Sequence, residues 1–308
     1  MKHFTTLLDV TPADLDEIFD VSADLKAKQR RGERPALLAG RVLALLFEKP
    51  SLRTRVSFEA AMAHLGGTTT FLTGKEAGLG GREALCDVAR VLSRFADAIA
   101  LRTFSQQLIE DFRGYATSPI INALSDDLHP CQALTDLFTL KEVFGDLAGR
   151  TLAYIGDGNN VARSLAIGTG MVGMSMVVAA PPGFELDRAF LSRLRRRVPA
   201  TNLTQTTDPL AAVANADVVY TDVWASMGQE AEADRRRQIF AAYQVSAALL
   251  AHAPSGCRFM HDMPARRGEE VTDEVLDGPQ SLAFEQAENR MHVAKGLLVW
   301  LLDGRAGA

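Results

Sequence analysis

Two hydroxyls and two guanidinium groups, Ser51, Arg53, Thr54 and Arg55, stand together in the run FEKPSLRTRVSFE from Phe47 to Glu59. A hydrophobic stretch, Arg41 to Phe47, precedes them, and an amphipathic one with Phe58, Met62 and Leu65 follows. Lys49-Pro50 ends the expected strand. Ser51 is suited to cap a helix, and Leu52 to Thr54 would supply the N–H groups that no intrahelical carbonyl satisfies. A strand feeding such a turn aims backbone donors, hydroxyls and guanidinium forks at one place, which is the chemistry of phosphate binding. The same spacing also suits a capped helix with two solvated arginines, and the stretch alone does not choose between them.

Other side chains fit the anion reading. Ala96 to Leu101 reads as a strand that delivers Arg102 at its C-terminal end. Ligands of open α/β sheets collect beyond such ends, so Arg102 is placed to meet whatever Ser51 to Arg55 binds. His129, fixed by Pro130 at a helix start, can donate to a ligand oxygen, and Gln132 offers both a donor and an acceptor. The turn Gly156 to Asn160 is an incomplete copy of a dinucleotide fingerprint. It lacks the third glycine, and no acidic residue follows the strand Met174 to Ala179 at the ribose position, which argues against a nicotinamide-dependent dehydrogenase.

The elements that must position these residues form a repeating strand, turn and helix pattern. Early strands are expected at Arg41 to Phe47, Thr68 to Leu72, Ala96 to Leu101 and Pro119 to Ala123, and later ones at Thr151 to Ile155, Met174 to Ala179, Asn202 to Gln205, Asp217 to Thr221 and Arg258 to His261. Helical runs between the later strands, from Thr151 to Thr221, make their sheet parallel. With 308 residues, 47% hydrophobic and 23% charged, the chain is long enough for two domains. A helix from Gln132 to Phe144 is long enough to join them. The expected division is 1–145 and 146–284, with a last helix over 285–308 completing the first domain. A net charge of −5 supplies no basic field for nucleic acid. No apolar run approaches a membrane span, and the opening MKHFTTLLDVTPADL lacks a signal peptide's apolar core, so the expected compartment is the cytoplasm. Cys86, Cys131 and Cys257 form neither a disulfide framework nor a zinc pattern.

On the loop at Ser51 to Arg55, His129-Pro130-Cys131-Gln132, Gly156 to Asn160, the run Asp222 to Gly228 (DVWASMG) and Glu288-Asn289-Arg290, taken in that order, the chain resembles the aspartate/ornithine carbamoyltransferase family. The resemblance covers nearly the whole chain, and the Ser-Met-Gly element matches the ornithine-specific branch. Leu52 departs from it, standing where the family loop has a threonine.

The resemblance implies an α/β fold of two doubly wound parallel-sheet domains, a C-terminal helix returning to the first, and a knotted second domain. It implies transfer of a carbamoyl group from carbamoyl phosphate to the δ-amine of L-ornithine, giving citrulline and phosphate, as in arginine biosynthesis, with no cofactor or metal. Ser51, Leu52 through its N–H, Arg53 and Thr54 would take the phosphate. Arg102, His129 and Gln132 would hold the carbamoyl group, with Arg290 facing its oxygen. Asp222 would meet the α-ammonium of ornithine, Asn160 and the Met227 N–H its α-carboxylate, and Ser226 would help fix the head. Lys75, Gly78 and Arg82 belong to a loop that, in the family, reaches a neighbouring subunit's site in a trimer or in trimers of trimers. Asp262 replaces the cysteine of the family's His-Cys-Leu-Pro motif and puts a carboxylate near the reacting amine. Rival readings are an acceptor such as putrescine or an N-acylated ornithine, and a non-catalytic homologue, which only Asp262 favours.

Overall fold

The computed structural model describes residues 1–79, 81–225 and 230–302. In chain order the elements are α1 (Pro12–Arg30), β1 (Val42–Phe47), α2 (Leu52–His64), β2 (Thr68–Thr73), α3 (Leu85–Phe95), β3 (Ala98–Arg102), α4 (Gln106–Tyr115), β4 (Ile120–Leu124) and α5 (Pro130–Phe144). They continue with β5 (Thr151–Ile155), α6 (Asn160–Met171), β6 (Ser175–Ala179), α7 (Arg188–Arg197), β7 (Asn202–Thr206), α8 (Pro209–Val213) and β8 (Val218–Thr221). Then come α9 (Ala233–Phe240), α10 (Ala247–Leu250), β9 (Arg258–His261), α11 (Asp273–Leu276) and α12 (Ala283–Leu302). The chain forms two compact units, 1–138 with 288–308, and 139–287. These divisions fall inside α5 and α12 rather than at the expected 145/146 and 284/285.

In the first unit four parallel strands lie in the order β2-β1-β3-β4. The inner strands β1 (VLALLF) and β3 (AIALR) are buried nearly throughout, as continuous apolar runs must be when both sheet faces are covered. Threonine-rich β2 is half exposed, as an edge strand can be. Successive strands run outward from β1 to β2 on one side and from β3 to β4 on the other, so the order reverses between β1 and β3. Phe47 and Arg102 are paired there, and the β3–β4 register shifts between Leu101 and Arg102.

Helix α12 packs on α1 in this unit. At Gly296 the helices approach so closely that an added Cβ would lie 2.1 Å from Ser22 Oγ and 2.6 Å from the Ile18 carbonyl. Around it Lys26 donates to Asn289 Oδ1 (2.7 Å), Lys295 to Gln29 Oε1 (2.9 Å) and Trp300 to Asp14 Oδ1 (3.1 Å).

The second unit has five parallel strands in the order β7-β6-β5-β8-β9, with the reversal between β5 and β8. Its core gathers Ile155, Val219, Phe240 and Phe259. Element starts differ from expectation by a few residues. Among the described residues, α4, between Arg102 and Pro119, and α9, α10 and α11 lie where the sequence reading names no helix. Among the described residues, no helix is long and apolar enough to cross a membrane.

Candidate active site

Ser51 caps α2, its Oγ accepting the Thr54 N–H at 3.2 Å. One of the three N–H groups expected to face an anion is therefore taken within the turn. The two arginines of the loop also divide. Arg55 lies 3.8 Å from the ring centre of Phe71 and pairs with Glu59 at 2.9 Å, the packing of a surface helix residue. Arg53 is half-buried, and Leu52 is exposed, at 74%. Thr54 is buried, and its Oγ1 accepts from Nη2 of Arg290 on α12 at 2.7 Å.

Arg102, His129, Gln132 and Arg290 are all buried in the same unit. Burial, then the positive charges of Arg290 and Arg102, hold His129 well below the usual histidine pKa, so its ring is neutral. A neutral imidazole can still donate one hydrogen bond. Gln132 Nε2 donates one of its two amide hydrogens to Asp136 Oδ1 at 2.8 Å. Its buried Oε1 has no hydrogen-bond partner among the described residues, so it offers a ligand an acceptor. Burial pushes the thiol of neighbouring Cys131 up to about 12, which leaves it protonated and inert. Lys49 is buried beside the loop, over the Phe104 ring at 4.4 Å and paired with Asp126.

In the second unit Asp222 follows β8, and Asn159 and Asn160 follow β5, on the two sides of that sheet's reversal. Asp222 is buried; its Oδ2 accepts from Asn159 Nδ2 and its Oδ1 from the Val223 N–H, both at 2.6 Å. Asn160 is the first residue of α6. Arg236 of α9 donates to Asp157 Oδ2 at 2.6 Å and to the Trp224 carbonyl at 2.9 Å, tying together the segments that follow β5 and β8. Ser226 and Met227 lie outside the described residues.

Asp262 follows β9 beside His261, whose Nδ1 accepts the Met263 N–H at 2.9 Å while Nε2 faces Glu270 Oε1 at 3.1 Å. The backbone N–H can only donate, which puts the ring proton on Nε2. Asp222, His261 and Asp262 each bring one ligand-type atom within 4.8 Å of the others, a spacing a divalent ion could bridge. The imidazole, however, has both nitrogens engaged and no lone pair to give one. Of the arginines near Asp262 in sequence, Arg267 is held by Asp273 and Asp277, and Arg266 lies 3.7 Å from Glu269.

The loop after β2 begins with Glu76 accepting from the Thr73 N–H and hydroxyl. Lys75 and Arg82 are exposed, and Gly78 has φ 76°, with Arg82 folded back to donate to the Glu76 carbonyl at 3.0 Å. The described residues expected to handle a phosphate and a carbamoyl group thus lie in one unit, and Asn160, Asp222 and Asp262 in the other. Sequence reasoning missed Asn159, Tyr154, Arg236 and Lys49. Asn159 had a visible signal, an amide residue at the N-cap of an apolar helix directly after a strand.

A unit with buried arginines around a neutral histidine, and a second with a buried aspartate at its switch point, define a two-domain group transferase. The family model "Aspartate/ornithine carbamoyltransferase, carbamoyl-P binding domain" matches residues 2–142, and "Aspartate/ornithine carbamoyltransferase, Asp/Orn binding domain" matches residues 148–301. The chain belongs to the aspartate/ornithine carbamoyltransferase family. It is 49% identical over 303 residues to an ornithine carbamoyltransferase of Anoxybacillus flavithermus, covering 98% of this chain and 96% of the relative. The solved ornithine carbamoyltransferase of Pyrococcus furiosus superposes with a TM-score of 0.94 at 46% identity, over 98% of this chain and 97% of that one. The Thermus thermophilus ornithine carbamoyltransferase does so with a TM-score of 0.88 at 43% identity, over 98% and 99%.

Proposed function

We propose that the protein transfers the carbamoyl group of carbamoyl phosphate to the δ-amine of L-ornithine, releasing L-citrulline and phosphate. The observation that carries the reading is the buried group of Arg102, Arg290 and neutral His129 beside a capped anion loop, in a chain nearly half identical over its length to ornithine carbamoyltransferases. Such a reaction needs the donor held, its carbonyl polarised and a neutral amine presented; positioning and fixed charges supply this without a covalent enzyme intermediate.

Ser51, the Leu52 N–H, Arg53 and Thr54 bind the phosphate. Arg102, His129 and Arg290 draw electron density onto the carbonyl oxygen, and Gln132 Oε1 accepts from the carbamoyl NH2. Asp222 holds the α-ammonium of ornithine, while Asn160, with Ser226 and the Met227 N–H, holds the α-carboxylate. The δ-nitrogen lone pair attacks the carbonyl carbon, the tetrahedral centre collapses, and the C–O bond to phosphorus breaks. The departing phosphate takes the proton lost from nitrogen. Putrescine lacks the α-carboxylate and N-acetylornithine the α-ammonium, so either would leave buried polar groups unpaired, which is costly. Asp262 meets the δ-ammonium before it loses its proton.

The loop with Lys75, Gly78 and Arg82 completes the site of a neighbouring copy in a trimer. Support comes from the exposed Leu52 and Val56 beside the anion loop, apolar side chains that a second chain would cover. Mixing Arg53→Ala subunits with Lys75→Ala/Arg82→Ala subunits should then restore activity through hybrid assemblies, and no recovery after proven exchange removes the shared site. The activity itself is tested by citrulline formation with ornithine, putrescine and N-acetylornithine compared as acceptors. Ornithine should be preferred by orders of magnitude; a better rate with either rival, or none with any, refutes the proposal.

A further inference from the structure

The Asn159 side chain is fixed at both ends. Its Oδ1 accepts from the backbone N–H groups of Val161 (3.0 Å) and Ala162 (3.1 Å) and from the Tyr154 hydroxyl (3.1 Å). Backbone N–H groups can only donate, so the atom they meet is the oxygen, and the amide NH2 must face the other way. There it lies 2.6 Å from Asp222 Oδ2. With the Val223 N–H on Oδ1, each oxygen of the Asp222 carboxylate has one internal donor. The third donor on Asn159 is itself held: Tyr154 is fully buried and stacked on Tyr220 at 5.7 Å, and Gln286 donates to the Tyr220 hydroxyl at 3.0 Å.

We propose that Asn159 is a positioning residue for the acceptor, its amide holding the Asp222 carboxylate in the single orientation that meets the ammonium of the amino acid. The inference rests on the reading of Asp222 as that ammonium's partner. A neutral amide suits the task because it donates without adding charge. A lysine or arginine there would compete with the substrate for Asp222, and a residue without a donor would leave the carboxylate free to turn. Helix capping alone needs only the oxygen of Asn159, and aspartate caps as well as asparagine. The two roles therefore separate in Asn159→Asp, which keeps the acceptor and replaces the donor by a second carboxylate.

Two carboxyl groups at that spacing share a proton at low pH, and the shared O–H then stands in for the amide N–H. When that proton leaves at higher pH, the repelled Asp222 loses its orientation. The other charged or titratable groups around the pair are Tyr154 of β5, Asp157 with Arg236 of α9 and Arg163 of α6, and His261 and Asp262 after β9.

The test is binding of L-norvaline, which keeps the α-amino acid head and has no δ-amine to react, at saturating carbamoyl phosphate and across pH. Asn159→Ala should weaken norvaline about ten- to a hundredfold, the worth of a hydrogen bond to a charged group, with carbamoyl phosphate affinity unchanged. At acid pH Asn159→Asp should keep the native thermal midpoint and bind norvaline nearly as well as the native protein, and its affinity should fall behind as pH rises. Native norvaline affinity in Asn159→Ala, or a pH-independent ratio of Asn159→Asp to native affinity, overturns the proposal. If Asn159→Ala fails to fold, the Asn159→Asp ratio decides alone. Asp222→Asn separates the two levels: if it binds norvaline like the native protein, the assignment of Asp222 has failed. If it loses norvaline while the Asn159 variants do not, only the positioning role has failed.

Discussion

Nη2 of Arg290 donates to Oγ1 of Thr54 at 2.7 Å, joining side chains 236 residues apart in sequence, both buried. The bond fixes one guanidinium against the first turn of α2. Thr54→Val removes the acceptor and strands a buried charged donor, a loss of about 1–3 kcal/mol in stability. The midpoint in urea should drop and kcat/KM should fall at least tenfold, while Thr54→Ser should restore most of both. A Thr54→Val protein with native stability and kinetics would show that the bond carries neither.

If Arg53 holds the phosphate as proposed, Arg53→Ala removes a charge-assisted contact worth about 3 kcal/mol or more in a closed site. We expect kcat/KM for carbamoyl phosphate to fall by at least two to three orders of magnitude with little change in thermal midpoint, since Arg53 is only half-buried. Activity within tenfold of native would move the phosphate elsewhere.

An ionised Asp262 near a δ-ammonium favours its charged form and so delays the neutral nucleophile to higher pH. The carboxylate is largely buried, 3.5 Å from Nδ1 of His261, which accepts the Met263 N–H. In Asp262→Cys the kcat/KM profile for ornithine should reach its plateau at lower pH than in the native protein. Coincident profiles would mean that Asp262 does not sense the amine.

His292 gives the acid stability a definite sign. Burial, and next the charge of Lys295, lower its pKa from 6.5 to about 4. The folded value lies below the unfolded one, so between them only the unfolded chain binds the extra proton. Stability is full above pH 6.5 and is lost as pH falls toward 4. His292→Gln should flatten that limb by about 1–3 kcal/mol, allowing for screening. Urea midpoints at several pH values check it; parallel acid limbs for both proteins would exclude His292 as a source.

Gly296→Ala sets two opposed effects against each other. Alanine favours a helix interior by about 1 kcal/mol over glycine, but its Cβ would sit 2.6 Å from the Ile18 carbonyl, which is backbone and cannot rotate aside. Overpacking of this kind costs about 1–3 kcal/mol, occasionally more. We expect a lower thermal midpoint, and a raised one would show that α1 and α12 can separate at little cost.

The features legible in the sequence are those that depend on residues next to one another. Ser51 as a cap, the apolar runs of β1 and β3, and the strand-turn-helix at Thr151 to Met171 follow from backbone sterics, side-chain period and unpaired N–H groups, all local causes. Arg102 at the end of a strand was also readable. Helix α4 escaped because only Leu108, Ile109 and Phe112 mark its apolar face across ten residues. Arg55 and Arg53 look alike in the sequence; Phe71 and Glu59 decide that Arg55 serves the surface. Likewise, that Gln132 gives an amide hydrogen to Asp136 depends on a neighbour one helical turn on. Strand order is settled by how the sheets pack, and it alone puts the loop after β1 beside Arg102 and the turn after β5 beside Asp222. The bonds from Arg290 to Thr54 and from Asn159 to Asp222 span 236 and 63 residues. No local preference specifies such pairs; they exist because burial removes the water that would otherwise satisfy each group, leaving each the other as its partner.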